Sequence, residues 1–178
     1  MNDKEHGRMK PITIYTANCR GNRYNTRYPV RRTILSIDDL REAVRYDQVF
    51  AEYRDCRRSG DGFIRSDCLP FDCDNDHSED PSEWKTPGDV EEAFPGIPFY
   101  VVYSRHHMEQ KNGACARPRF HVIFPIDPIT DGREYRRLKE AVIEYFPYFD
   151  SGAADSARFF YGVKDPAVEL RGGEAYEP

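Results

Sequence analysis

Asp72 and Asp74 stand two residues apart at the end of the apolar run Leu69-Pro70-Phe71, and Asp76, Glu79 and Asp80 follow close behind. In an extended strand alternate side chains share a face, so the pair points one way while Leu69, Phe71 and Cys73 point the other. Two strand rises start the carboxylates roughly 6.6 Å apart. At an effective dielectric of ~20 they repel by roughly 2.5 kcal/mol. A divalent cation between them removes that repulsion, which makes the pair a candidate metal site. The competing reading is a strand end that enters a polar loop.

Three further stretches carry types that suit the same chemistry. In Phe149-Asp150 through Asp155-Ser156-Ala157-Arg158, Asp150 offers a third carboxylate, which would complete a two-metal site for in-line phosphoryl displacement. Asp155 is its rival, both could simply turn the loop, and Arg158 could meet a phosphate or a nearby acid. In Arg117-Pro118-Arg119-Phe120-His121, the histidine with its flanking arginines supplies donors for a triphosphate, unless His121 is a structural histidine. Arg20, Arg23, Arg27, Arg31 and Arg32, interleaved with Tyr24 and Tyr28, suit phosphate contact and base stacking, and equally suit a solvated loop. The basic loop Arg54–Arg58 could join them. Ser104-Arg105-His106-His107 with Cys115 admits a zinc reading, but its spacing matches no standard ligand pairs. No phosphate-binding glycine loop and no Ser/His/Asp order is present.

Elements must position these groups. Ile12–Thr16 alternates as a strand. Ser36 and Asp39 form a capping box that starts a helix to about Tyr46, and Asp47–Tyr53 alternates again. Cys68–Asp74 reads as a strand. Thr86-Pro87-Gly88-Asp89 sets an N-cap for a helix to about Phe94. Pro98–Ser104 and Arg119–Ile126 read as strands, and Thr130 or Asp131 caps a helix to about Phe146. Arg158–Val163 reads as the last strand. The fold class is therefore α/β (α+β), with a β-α-β-β-α-β, ferredoxin-like or RRM-like core packed with an N-terminal α/β unit. Its first and third strands lie side by side, which places Asp72, Asp74 and His121 on one open face.

The 178 residues and 39% hydrophobic content support a folded core. Residues 1–65 hold 14 Lys/Arg and 9 Asp/Glu, whereas residues 66–178 hold 12 and 22. The expected division is a basic N-terminal unit, 1–65, and a catalytic unit, 66–178, together one compact domain. Met1–Lys10 is polar and expected to be frayed. Five scattered cysteines suggest no disulfide framework and favour a reducing, cytoplasmic setting.

The order of Leu69-Pro70-Phe71-Asp72-Cys73-Asp74, Arg119-Phe120-His121-Val122 and Phe149-Asp150 through Arg158-Phe159-Phe160 resembles the archaeo-eukaryotic primase (AEP) superfamily, most closely its phage and plasmid primase-polymerases. The resemblance covers about residues 65–165. It implies that Asp72, Asp74 and Asp150 bind two Mg²⁺ or Mn²⁺ ions and that His121, with Arg119, Ser104 and Arg158, contacts the incoming NTP or dNTP. It implies a single-stranded DNA template, held by Arg20–Arg32, and a helicase domain or partner outside this chain. Ser104-Arg105-His106 also fits the letter of the family's Ser-x-His motif, and ranks below His121. Many relatives carry small residues before that histidine, where this chain has Arg117-Pro118-Arg119-Phe120.

The expected function is a template-directed nucleotidyltransferase, a DNA primase or primase-polymerase. The alternatives are a metal-dependent nuclease, a D-x-D glycosyltransferase, and an inactive RRM-like nucleic-acid-binding module.

Overall fold

The computed structural model describes residues 9–173. Strands β1 (Ile12–Thr16), β2 (Val30–Ile34), β3 (Gln48–Val49) and β8 (Phe159–Phe160) form one antiparallel sheet in the order β2-β1-β3-β8. Strands β4 (Glu52–Tyr53), β5 (Phe63–Cys73), β6 (Phe99–Tyr103), β7 (Phe120–Ile129) and β9 (Val168–Arg171) form a second, in the order β4-β5-β7-β6-β9. Helices α1 (Ile37–Ala43), α2 (Pro87–Ala93) and α3 (Gly132–Tyr145) complete a mixed α/β fold.

Local signals set the helix starts. Ser36 and Asp39 close the capping box of α1, Thr86 and Asp89 close that of α2, and the Asp131 carboxylate accepts from the Arg133 and Glu134 amides at the start of α3. The second sheet is covered on both faces, which is why β5 runs buried from Cys68 to Cys73 without alternation. Leu69, Phe71, Cys73, Phe120, Val122 and Phe124 pack under α2 and α3. Cys68, Tyr100, Val102 and Ile123 meet Ile12, Ile14, Ile34 and Leu40 of the N-terminal part. The face expected to be open is thus an internal seam between the two sheets. Asp72 and His121, expected on an exposed surface, are 6% and 8% exposed.

β5 and β7 are neighbours as expected, and Asp72 faces His121 directly across the pair. β4 flanks only the first residues of β5. Beyond it, the Asp150 amide donates to the Asp72 carbonyl at 2.8 Å, so Asp72 turns its backbone polar groups away from β7. Pro70, two residues earlier, turns the same way and leaves no ladder donor missing.

The last strand departs from expectation. Phe159–Phe160 leaves the second sheet and pairs with β3. Phe160 sets its ring edge-on to Phe50 at 5.2 Å and at 4.8 Å from the ring of His121. Gly162 donates to the buried Asp47 carboxylate at 2.8 Å. A Cβ on Gly162 would lie 2.5 Å from the Arg45 carbonyl oxygen, so only glycine allows this approach. Conversely, Asp47–Tyr53 is no single strand: it splits into β3 and β4, one in each sheet. Strands β2 and β9 had no sequence counterpart. Of the segment expected to be frayed, residues 1–8 lie outside the described residues, while Met9 is 1% exposed and Lys10 pairs with Asp127 at 2.7 Å.

Candidate active site

Asp72 sits in the last turn of the pleat of β5, and its carboxylate is fully engaged. Arg158 donates to Oδ2 from Nε at 3.2 Å and from Nη2 at 2.7 Å, and His121 Nε2 lies 3.1 Å from Oδ1. Burial works to raise the Asp72 pKa, but the His121 ring and the Arg158 guanidinium outweigh it and hold the carboxyl below its usual value. Arg158 is raised in turn: burial lowers it, and Asp72 and Asp150 more than compensate. Among the described residues, His121 Nδ1 has no hydrogen-bond partner.

Asp74 lies just past the strand, half-buried, with Lys111 Nζ at 3.2 Å from Oδ2. Asp150 Oδ2 accepts from Arg158 Nη2 at 3.0 Å, while Oδ1 caps the turn that follows by accepting from Gly152 at 2.9 Å. Asp155 faces elsewhere, and its carboxylate accepts from the Ala157 amide. The geometry therefore gathers Asp72 and Asp150 on one guanidinium and leaves Asp155 out. The mutual repulsion of Asp72 and Asp74 is offset in this structure by Arg158, His121 and Lys111.

A cavity of about 320 Å³ opens over Asp72 and Asp74. Ser104 and His121 line it, as does Arg158, and so do Arg105, His106 and Lys111 from the loop between β6 and β7. Its remaining wall is Phe159, Phe160 and Tyr161, and Arg105 stacks on the Tyr161 ring at 4.0 Å. Two carboxylates and five basic side chains thus line one cavity. Asp74 separates this cavity from a neighbour of about 250 Å³, whose wall includes Asp150, His77 and Tyr148.

Arg119 is not at the cavity. It is 1% exposed and donates through Nη1 to the carbonyls of His106 at 3.1 Å and Glu109 at 2.8 Å, so it shapes the loop that carries Arg105, His106 and Lys111. Arg117 is likewise buried, binding the carbonyl of Asn75 at 2.8 Å and the carboxylate of Glu79 at 2.5 Å. The zinc reading disperses: His106 lines the cavity, His107 bonds the Arg119 backbone, and Cys115 meets Glu79. Lys111 and the Arg105–Tyr161 stack were missed. A polar loop gives no periodic signal, and only the S-x-H spelling at Ser104 hinted that it reaches the site.

Among the described residues no three His, Cys, Asp or Glu side chains converge as a metal-ligand group. Asp72, Asp74 and Asp150 are still hard oxygen donors of the kind Mg²⁺ and Mn²⁺ take. In this structure Lys111 and Arg158 pair with all three, Lys111 with Asp74 and Arg158 with Asp72 and Asp150.

Of the expected template residues, Arg20, Arg23, Arg27 and Arg31 are exposed, and Arg32 is half-buried, stacked on Tyr46 at 5.3 Å. Tyr24 is 82% exposed, but Tyr28 is buried. The segment is tied to the Arg54–Arg58 loop by a bridge between Arg27 and Arg57 and by the bond from Tyr28 N to Cys56 O at 2.9 Å. The two basic stretches therefore form one face. Among the described residues no helix is long and apolar enough to cross a membrane.

Among solved structures, the AEP domain of the cyanophage S-2L primase-polymerase aligns with this chain at a TM-score of 0.50 and 12% identity, over 93% of this chain and 80% of that one. This chain shares the fold of that domain. No family model matches the chain, and no curated protein matches it.

Proposed function

We propose that the chain is a template-directed nucleotidyltransferase of the primase or primase-polymerase kind. The observation that carries this reading is the single cavity that Asp72 and Asp74 line together with Arg105, His106, Lys111, His121 and Arg158. Carboxylates alone would suit any cation. Basic side chains lining the same cavity suit a nucleoside triphosphate, whose charge needs donors on several sides. The fold shared with a primase-polymerase domain supports the same reading.

On this proposal the triphosphate of an NTP or dNTP takes the place of the carboxylates on Lys111 and Arg158. His121 and Ser104 add hydrogen bonds to its oxygens, and the Arg105–Tyr161 stack lies beside the base or sugar. Arg119 positions the loop from beneath. Asp72, Asp74 and Asp150, freed of their internal cations, would hold two Mg²⁺ or Mn²⁺ ions. When bound, such ions activate a 3′-hydroxyl and neutralise the pyrophosphate leaving group. The basic face of Arg20, Arg23, Arg27, Arg31 and Arg32 holds a single-stranded DNA template by its phosphates.

The test is incubation with a primed single-stranded template, labelled nucleotides and Mn²⁺, resolved by product length. Wild type is expected to lengthen the primer. Asp72→Asn, which keeps the shape of the buried side chain, is expected to lower incorporation by at least about 10³-fold with an unchanged circular-dichroism spectrum. Shortened products would mean a nuclease. An Asp72→Asn protein as active as wild type would overturn the assignment.

A further inference from the structure

A cavity of about 200 Å³ lies apart from Asp72, where β1 and β4 meet the start of β2. Tyr15, Tyr28, Tyr53 and Pro29 supply its apolar wall, and Arg31 and Glu52 its polar part. We propose that this cavity receives one unpaired base of a single-stranded nucleic acid whose phosphates lie on the surrounding arginines. The proposal rests on nucleic acid being the partner of this chain, and not on which reaction the chain performs.

Four observations carry it. Tyr15, half-buried, is the aromatic ring that can meet a planar heterocycle, with Tyr28 and Tyr53, 1% and 5% exposed, backing the wall behind it, and stacking on such a ring accepts any base. Arg31 brings a fork of donors and Glu52 an acceptor, together enough to meet the mixed edge of a base. The hydroxyl of Tyr15 donates to Glu52 at 3.2 Å. Burial and the Glu52 charge push its pKa up to about 12, so it adds no negative charge beside a phosphate strand.

The charge outside matches such an occupant. Arg23, Arg27, Arg31, Arg54 and Arg57 are all exposed on the two paired basic stretches that border the cavity. Finally, the rim is strained. Asp55 and Cys56 both hold φ +55°, a left-handed conformation that side-chain-bearing residues adopt at a cost. The bonds from Tyr28 N to Cys56 O at 2.9 Å and from Arg58 N to Thr26 O at 2.8 Å hold the rim in place. These bonds fix Cys56 at the edge of the cavity.

The experiment is fluorescence anisotropy with a labelled single-stranded oligodeoxynucleotide, the shortest that still binds. It is compared with a set in which one position at a time is abasic, all in EDTA and without nucleotide. One abasic position is expected to weaken binding about tenfold while its neighbours change little. Tyr15→Ala is expected to lose the same factor on the intact strand and nothing more on the sensitive abasic one. Its slope of log affinity against log salt should stay that of wild type, because no phosphate contact is removed. Tyr15→Phe, which keeps the ring, should bind within about twofold of wild type.

A flat abasic scan overturns the proposal, as does a well-folded Tyr15→Ala that binds like wild type, or a wild-type protein that does not bind the strand. If Tyr15→Ala melts early, the scan on wild-type protein decides alone. Because nucleotide and metal are absent, a protein that shows the sensitive position but never extends a primer refutes the polymerase assignment and leaves this site standing.

Discussion

Burial pushes the Asp72 pKa up, and it is the pair His121 and Arg158 that holds it below its usual value. Lys139, on α3, shows what happens without such partners. It is 1% exposed, with its ammonium 5.6 Å from the Phe71 ring centre and 5.4 Å from that of Tyr135. Burial lowers its pKa to about 7, against the pull of Asp72 and Cys68. An unfolded lysine titrates near 10.4. Between about pH 7 and 10.4 the unfolded chain binds a proton that the folded chain has released, so stability rises with pH across that window and the full penalty applies below it. Lys139→Met is therefore expected to stabilise the protein at neutral pH by on the order of 1 kcal/mol or more and to remove this slope. Melting curves at several pH values above and below neutrality check it. A variant that melts lower, or keeps the slope, would show that the ammonium is better compensated than its surroundings imply.

Among elements, β8 decides the shape of the site. It leaves the sheet of Asp72 for that of β1, and so brings Phe160 against His121 and Tyr161 against Arg105. Gly162 permits this by its contact with the Arg45 and Tyr46 backbone. Gly162→Ala is expected to cost roughly 1–3 kcal/mol, as overpacking does. It should also weaken nucleotide binding more than Gly96→Ala, since Gly96 follows α2 with nothing within 4 Å of an added Cβ. Equal nucleotide affinity in the two variants would detach β8 from the site. Gly96 itself holds φ +71°, so its own strain is the reference and melting must be compared alongside.

The same element marks the limit of what the sequence displays. Caps are local, so Ser36, Thr86 and Asp131 reveal their helices. Two-residue spacing is local too, so Asp72 and His121 read as neighbours on β5 and β7, although the face they share is a buried seam, and the choice between Asp150 and Asp155 stays open in the sequence. The sheet that a strand joins is not local. Nothing within Phe159-Phe160 tells that Asp47 and Val49 await it. β2 carries Arg31 and Arg32 and reads as a basic loop until β1 is beside it. The loop that carries Lys111 takes its form from two buried guanidiniums, Arg117 and Arg119, bonded to carbonyls far along the chain.

For the molecule as a whole, the sheets are interlocked. The first 65 residues lend β4 to the second sheet, and the later part lends β8 to the first. Residues from both also form one apolar seam, in which Ile12 and Leu40 meet Tyr100 and Ile123. Neither half buries its faces without the other. Urea unfolding is expected to show one transition, with Trp84 fluorescence and far-ultraviolet circular dichroism coincident. Two separated midpoints would mean that the halves hold themselves together independently.

The free margin of β5 beside Asp72 has a consequence for life in a crowded solution. A flat row of unsatisfied amides and carbonyls is a template on which a second chain can add a strand, the first step towards fibrils. Here Pro70 offers no donor to an incoming strand, and the Asp72 carbonyl is already taken by Asp150. The stretch that carries Asp72 thereby offers an incoming strand neither that donor nor that acceptor, although it is apolar, extended and bordered by a strand on one side alone.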